Sequence, residues 1–183
     1  MRKRTPTVQA DRYRADFPEG TVVLLIGMRV NSIWRLRTWL PVFVAMPRML
    51  RELARQPELG LLEARTEVAW RRATVIQYWE SMDKLMAYAA ANDHEHLPAW
   101  KAYNVSAKRS GPVVGIWHEA YAVHPSTSHI VYRHMPAFGM ASAVGEVPKQ
   151  PVRGHREARS RGIHDVRIMP GNFSASRHHT APE

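Results

Sequence analysis

His118 is the residue whose setting in this sequence most directly suggests chemistry. It lies within residues 112–123 (PVVGIWHEAYAV), a stretch that is typical of a β-strand. Side chains alternate between the two faces of a strand, so His118 shares one face with Val114, Ile116 and Ala120 and is the only polar group among them. Burying an unpaired imidazole costs about 1–3 kcal/mol. Two interpretations stay open: a core histidine bonded to a neighbour, or a group that transfers protons.

Two further histidines, His94 and His96, flank Glu95 between two predicted helices. Zinc binds such side chains, but tetrahedral sites usually need a third protein ligand at a recognisable spacing. The HExxH pattern is also absent from this sequence. Spacing alone therefore predicts a polar interhelical loop and no metal-ion site.

Arg29 is the third candidate, because it is a charged residue near the end of an otherwise apolar strand. Its guanidinium group would either point into a pocket or extend to solvent at the strand end. The pattern slightly favours a guanidinium group that extends to solvent.

Composition limits the chemistry that these residues can do. The chain has 183 residues, ten histidines and no cysteine. The absence of cysteine excludes a disulfide scaffold, zinc fingers, iron–sulfur clusters and a thiol nucleophile. Metal or redox chemistry would have to use histidine, carboxylates or a bound cofactor.

The net charge of +10 raises the possibility of nucleic acid or an anionic membrane as a partner. The first 20 residues carry +2, residues 147–183 carry +4, and the 126 residues between them carry only +4. Because much of the excess lies in the ends, we do not expect nucleic acid as the partner.

Apolar runs are far shorter than the roughly 20 residues that span a bilayer, and no secretory signal is visible, so we expect a cytoplasmic protein with no membrane contact.

Hydrophobic periodicity predicts the elements that must position the candidate residues. The predicted order is a strand (21–31), a helix (39–53, with a kink at Pro47), strands at 61–70 and 73–79, helices after Ser81 and over 97–103, and strands at 112–123 and 129–133. This order predicts an α+β, ferredoxin-like antiparallel sheet with helices on one face. The predicted domain covers residues 20–145, between an irregular arm (1–19) and a basic tail or extended arm (146–183). A homodimer with two sheets face to face would cover the second face and enclose a pocket.

Five short stretches of the sequence resemble a known family. They are YWESMDKL (78–85), HEHLPAW (94–100), GIWHEAY (115–121), IVY (130–132) and MPAFG (135–139). Together they resemble a dimeric α+β barrel family related to a fungal fumagillin-pathway monooxygenase, over about residues 20–145. A more distant resemblance is to the haem-containing aldoxime dehydratases, through the pairing of Glu95-His96 with Trp117-His118-Glu119.

The second resemblance implies a set of roles. His96 would be the proximal ligand of haem b, His118 the distal acid/base, and Arg29 a loose candidate for an assisting arginine. It also implies a haem-dependent monooxygenase or dehydratase that acts on a small hydrophobic molecule. Since this chain matches one half of a dehydratase barrel, a homodimer would complete it.

Two alternatives remain open. One is a cofactor-free monooxygenase of the same fold, with His118 as the base for an electron-rich aromatic substrate. The other is non-catalytic: a dimeric ligand-binding or nucleic-acid-associated protein whose basic tail makes the contacts.

Overall fold

The computed structural model describes residues 7–91, 94 and 96–145. In chain order the elements are β1 (Arg12–Tyr13), β2 (Val22–Val30), α1 (Leu36–Leu53), β3 (Leu61–Ala69), β4 (Arg72–Trp79), α2 (Met82–Ala90), α3 (His96–Ser110), β5 (Val114–Ala122), β6 (Tyr132–Arg133) and α4 (Met140–Ala143), with a 3-10 turn at Pro57–Leu59. The proposed tail, residues 146–183, lies outside the described residues. No helix in the described part of the chain is long and apolar enough to cross a membrane.

Four strands form the main sheet in the order β3–β4–β2–β5, and every neighbouring pair is antiparallel. The connections from β2 through α1 to β3, and from β4 through α2 and α3 to β5, are those of a ferredoxin-like fold. The α+β, ferredoxin-like prediction is therefore confirmed.

Three elements differ from the sequence-based prediction. Helix α1 begins at Leu36, three residues before its predicted start, and includes Pro47 without interruption. Helix α3 extends seven residues beyond its predicted end and stops before Gly111, whose φ of +66° terminates helices readily. The strand expected at 129–133 is reduced to β6, which pairs with β1 outside the main sheet.

The helices pack on one face of the sheet, the helix face. Val22 and Leu24 of β2 pack there in one buried cluster with Leu53 of α1 and Leu85 of α2. Met28, further along β2, belongs to a second buried cluster on that face, which α1 contacts. Because alternate residues of β2 meet α1, burial of this apolar stripe joins helix and sheet into one core.

The opposite face, the open face, is covered at one end by segments from both sides of the domain. Tyr13 and Phe17, from the segment expected to be an irregular arm, are buried in a cluster with Met140 and Tyr78. The Tyr13 ring stacks on Tyr132 with 4.9 Å between centroids. Residues 12–17 thus contribute to the core, which their polar composition did not indicate.

Gly27 of β2 allows the Trp117 indole on β5 to lie across the open face. A β-carbon at position 27 would be 2.7 Å from Trp117 Nε1 and 2.9 Å from the Ala73 carbonyl oxygen. Gly115, in contrast, faces open space, with Asn31 Nδ2 as its nearest neighbour at 4.0 Å.

Gly27→Ala should therefore lower the free energy of unfolding by about 1–3 kcal/mol, because the strand backbone and the indole must both move. Gly115→Ala is the matched control and should be neutral or slightly stabilising. Urea unfolding of both variants checks the difference. Equal destabilisation by both would contradict this explanation of Gly27.

Candidate functional site

An apolar cavity lies between the helix face of the sheet and helices α1 and α3. Its walls include Val42, Phe43 and Met46 of α1, Trp100 and Tyr103 of α3, and Ile116 of β5. The space inside it is about 110 Å³. This is smaller than the roughly 300–1,000 Å³ of most ligand pockets, but its lining is apolar as theirs is. The cleft therefore suits a hydrophobic ligand.

His96 contributes the imidazole among the cavity walls. It is the first residue of α3, and its Nδ1 lies 3.0 Å from the carbonyl oxygen of Ala89 at the end of α2. A carbonyl oxygen only accepts hydrogen bonds, so this contact assigns the Nδ1 atom as the donor. In the neutral ring Nε2 then carries the free lone pair, which is the arrangement found in histidines that bind metal.

A half-buried polar network holds the junction of α2 and α3 that carries His96. Glu52 of α1 accepts a hydrogen bond of 2.9 Å from the Tyr88 hydroxyl, and its second oxygen lies 3.2 Å from His94 Nδ1. The Tyr88 ring is 5.3 Å from the His94 ring and 6.2 Å from the His96 ring, between centroids. Glu52 thus connects α1 to α2, through Tyr88, and to His94, which precedes α3.

A second polar contact joins the sheet to α1 beside the cavity. Trp79, which is 1% exposed, donates from its indole Nε1 to the Gln77 side-chain oxygen at 2.8 Å. The Gln77 amide nitrogen is 3.9 Å from the sulfur of Met46, a wall residue. The indole N–H and the amide oxygen satisfy each other, so neither of these two atoms incurs the cost of an unpaired polar group.

His118 shares a face of β5 with Ile116, as the alternation predicted; the structure shows that this is the helix face and that His118 is exposed. It pairs across the sheet with Ile26 and follows Ile116 on the same face, and both of these line the cavity. No described residue is hydrogen-bonded to its ring. The burial cost that suggested a core partner does not arise, because β5 is an edge strand that no helix covers at this point.

Arg29 is not brought to the cavity. Its neighbour Met28 packs under the helices, so Arg29 extends from the open face, where it is exposed. His96 and His118 therefore share one side of the sheet, and Arg29 occupies the other.

The sequence analysis did not identify the aromatic wall formed by Trp100 and Tyr103. Their rings stack with centroids 5.6 Å apart, and the Tyr103 hydroxyl donates to the Val114 carbonyl oxygen at 3.2 Å. Their i,i+3 spacing in a helix was the available signal. Within residues 7–91, 94 and 96–145, no three histidine or carboxylate side chains lie close enough to hold a bare metal ion.

The fold and the cavity define a ferredoxin-like α+β protein with an apolar cavity under its helices. The chain belongs to the Monooxygenase af470-like family, whose model matches residues 21–140. This confirms the resemblance to a monooxygenase family, while the link to a fumagillin pathway stays a prediction. No protein with a curated description matches the chain.

Two solved structures of aldoxime dehydratases share the fold, and a third structure is similar to a lesser degree. Aldoxime dehydratase OxdRE, solved with butyraldoxime, is 13% identical, with a TM-score of 0.60, over 72% of this chain and 40% of its own. Another aldoxime dehydratase is 17% identical, with a TM-score of 0.56, over 73% and 41%. SnoaB of Streptomyces nogalater, a cofactor-independent oxygenase, is 15% identical, with a TM-score of 0.41, over 57% and 94%. The chain thus spans about two fifths of the dehydratases that it matches.

Tyr88→Phe should lower the free energy of unfolding by about 1.5–3 kcal/mol, because it removes a largely buried hydrogen bond to a carboxylate. The matched control is Tyr121→Phe, which removes a 2.7 Å hydrogen bond to Glu119 that is exposed to solvent. Chemical denaturation of both variants checks the contrast, and the control should change little. Equal losses would show that burial is not what makes the Glu52 network important.

Proposed function

We propose that this protein is a haem-dependent enzyme that acts on a small hydrophobic molecule, by oxygenation or by dehydration of an aldoxime. His96 would be the axial ligand of haem b and His118 the acid/base. The observation that carries the proposal is the orientation of His96 at the wall of an apolar cleft, with Nδ1 occupied by Ala89. Its Nε2 is then the atom available to iron.

The chemistry of the surrounding residues fits a haem. Histidine is a common protein ligand of haem iron, and the absence of cysteine leaves no thiolate to compete. The walls at Phe43, Trp100 and Ile116 are apolar, as a flat hydrophobic macrocycle requires. When bound, a haem would supply a redox-active iron centre that no side chain of this protein provides.

The side chains around the cleft have separable roles in this proposal. His118 would give a proton to a departing hydroxyl group, so that it leaves as water, or would take a proton from a substrate that is to be oxygenated; imidazole does both near neutral pH. The apolar walls would orient the substrate and exclude water. Glu52 and Tyr88 would keep the start of α3, and with it His96, in place.

The open face supports a homodimer as part of the same proposal. Beside Gly27 it presents Leu25 and Ile76, which are half-buried, and Trp117 and Tyr121, which are 38% and 51% exposed. A sheet face of this composition is covered in most folds. A second copy packed against it would complete the two-sheet barrel expected from the sequence and bury these rings.

The first test is the absorption spectrum of the purified chain before and after haem is added. We expect a Soret band, which His96→Ala should abolish or shift because the iron loses its axial nitrogen. His129→Ala, which changes an exposed histidine, should leave the band unchanged. Absence of a Soret band after reconstitution, or an unaltered spectrum of His96→Ala, would contradict haem ligation by His96.

The second test separates the reactions and the role of His118. Butyraldoxime and an anthrone are offered as probes, and nitrile or quinone formation is measured. His118→Ala should lower kcat by about 10²–10⁴-fold while the haem spectrum stays that of the wild type, because the imidazole moves a proton and does not bind the iron. An unchanged kcat would remove His118 from the mechanism.

A cofactor-free monooxygenase is the second candidate, favoured by one observation. His118 is exposed and no described residue holds it, so its ring is free to act as a base without any cofactor. Oxidation of the anthrone by colourless, haem-free protein, lost in His118→Ala and retained in His96→Ala, would establish this candidate and overturn the first.

A further inference from the structure

The structure concentrates positive charge at one end of the domain, although residues 21–146 carry only +4 in total. This basic end consists of three connecting regions, residues 29–38, 68–73 and 105–113. They contain seven arginines and lysines and no aspartate or glutamate: Arg29, Arg35, Arg37, Arg71, Arg72, Lys108 and Arg109. At the opposite end, residues 17–21, 54–60 and 79–84 contain four carboxylates and two basic residues. The domain is therefore electrically polarised along its strands.

Hydrogen bonds tie the three regions into one surface. Val30 and Arg71 exchange bonds, from Val30 N to Arg71 O at 2.8 Å and from Arg71 Nε to Val30 O at 2.7 Å. Asn31 Nδ2 donates to the Pro112 carbonyl oxygen at 2.9 Å, and Arg35 Nη1 donates to that of Ser110 at 3.0 Å. These bonds hold the three regions close together in the fold, although they are far apart in the sequence.

The basic end also exposes large apolar side chains. Trp34 is 90% exposed and Trp70 is 81% exposed, the first in the β2–α1 connection and the second at the tip of the β3–β4 hairpin. Aliphatic neighbours accompany them: Val68 at 68%, Val105 at 53% and Leu36 at 49%. Exposing this much apolar surface to water is unfavourable, so the combination marks a contact surface.

From these observations we propose that the basic end docks the protein on the surface of an anionic lipid bilayer. Tryptophan is enriched at the boundary between headgroups and acyl chains, and arginine and lysine bind anionic headgroups. The exposed valines and leucine favour a bilayer over nucleic acid, because aliphatic side chains insert at the acyl boundary, whereas non-specific binding to nucleic acid depends mainly on phosphate contacts and base stacking. Peripheral docking needs no membrane-spanning segment, and it revises the expectation from sequence that no membrane is contacted.

Docking on a bilayer would also orient the cavity, although the docking proposal does not depend on the proposed reaction. Met28 and Ala73, which line the cavity, lie within two residues of the strand ends that meet at the basic end. A docked molecule would hold this part of the cavity near the bilayer, where small hydrophobic compounds accumulate.

The test is cosedimentation of the full chain with phosphatidylcholine vesicles, with and without about one third phosphatidylserine. We expect binding to the anionic vesicles only, with a blue shift of tryptophan emission. Trp34→Ala combined with Trp70→Ala should lower the partition coefficient at least about tenfold, because both indoles are removed from the headgroup boundary.

A second variant tests the charge. Arg37, Arg72, Lys108 and Arg109 are exposed, and no described residue is hydrogen-bonded to their side chains, so replacing all four with glutamine leaves the ties between the loops intact. We expect at least about a tenfold loss of partitioning, since each basic residue near an anionic surface contributes to binding.

The matched control combines Arg51→Gln with Arg55→Gln. These two residues lie at or just after the other end of α1, away from the basic end, so this variant should bind as the wild type does. Thermal unfolding confirms that each variant is folded. Vesicle binding that is undiminished in the tryptophan and charge variants would place the contact elsewhere and overturn the proposal.

Two other outcomes would also overturn it. If the wild type ignores vesicles but binds duplex DNA, and the charge variant loses that binding, the basic end is a nucleic-acid surface. If the wild type ignores vesicles and the tryptophan variant changes the molar mass in sedimentation, the basic end is an interface between copies.

Discussion

β2 is hydrogen-bonded along both edges, to β4 and to β5, and different elements cover its two faces. Because the side chains of β2 alternate between its two faces, the position of each residue in this strand determines on which side of the sheet it lies. Val22, Leu24 and Met28 meet the helices, and Met28 also lines the apolar cavity. Arg29 and Gly27 belong to the other face, where Gly27 admits the Trp117 ring. A shift of one residue would exchange the two sets and destroy both the core and the cavity.

The polar groups near the cavity are arranged by the same packing. Glu52 at the end of α1 reaches Tyr88 and His94, and Gln77 satisfies the Trp79 indole beneath Met46. These contacts lie where three elements converge, close to the start of α3 that carries His96. A spacing analysis treats His94 and His96 as a pair, whereas the structure separates their roles: His94 belongs to the supporting network, and His96 lines the cavity.

The family assignment and the geometry are both consistent with the small-molecule enzyme that we propose. The family model covers residues 21–140, which include the whole main sheet and all the walls of the cavity. Aldoxime dehydratases share the fold over about two fifths of their length. The exposed Trp117 and Tyr121 lie on the open face, which the proposed homodimer would cover.

The spacing of hydrophobic residues predicted the order of helices and strands and the ferredoxin-like fold, and side-chain alternation correctly placed His118 on the same face as Ile116. These predictions succeed because spacing and alternation are local properties of the chain. Burial of Tyr13 and Phe17 could not be predicted, since their partner Met140 lies more than 120 residues away in sequence. Alternation also separates two faces without saying which one the helices cover, so only the tertiary structure put Arg29 opposite the cavity. Likewise, the sum of +4 over residues 21–146 conceals the basic end, because folding brings together charges from three distant connections that contain no carboxylate.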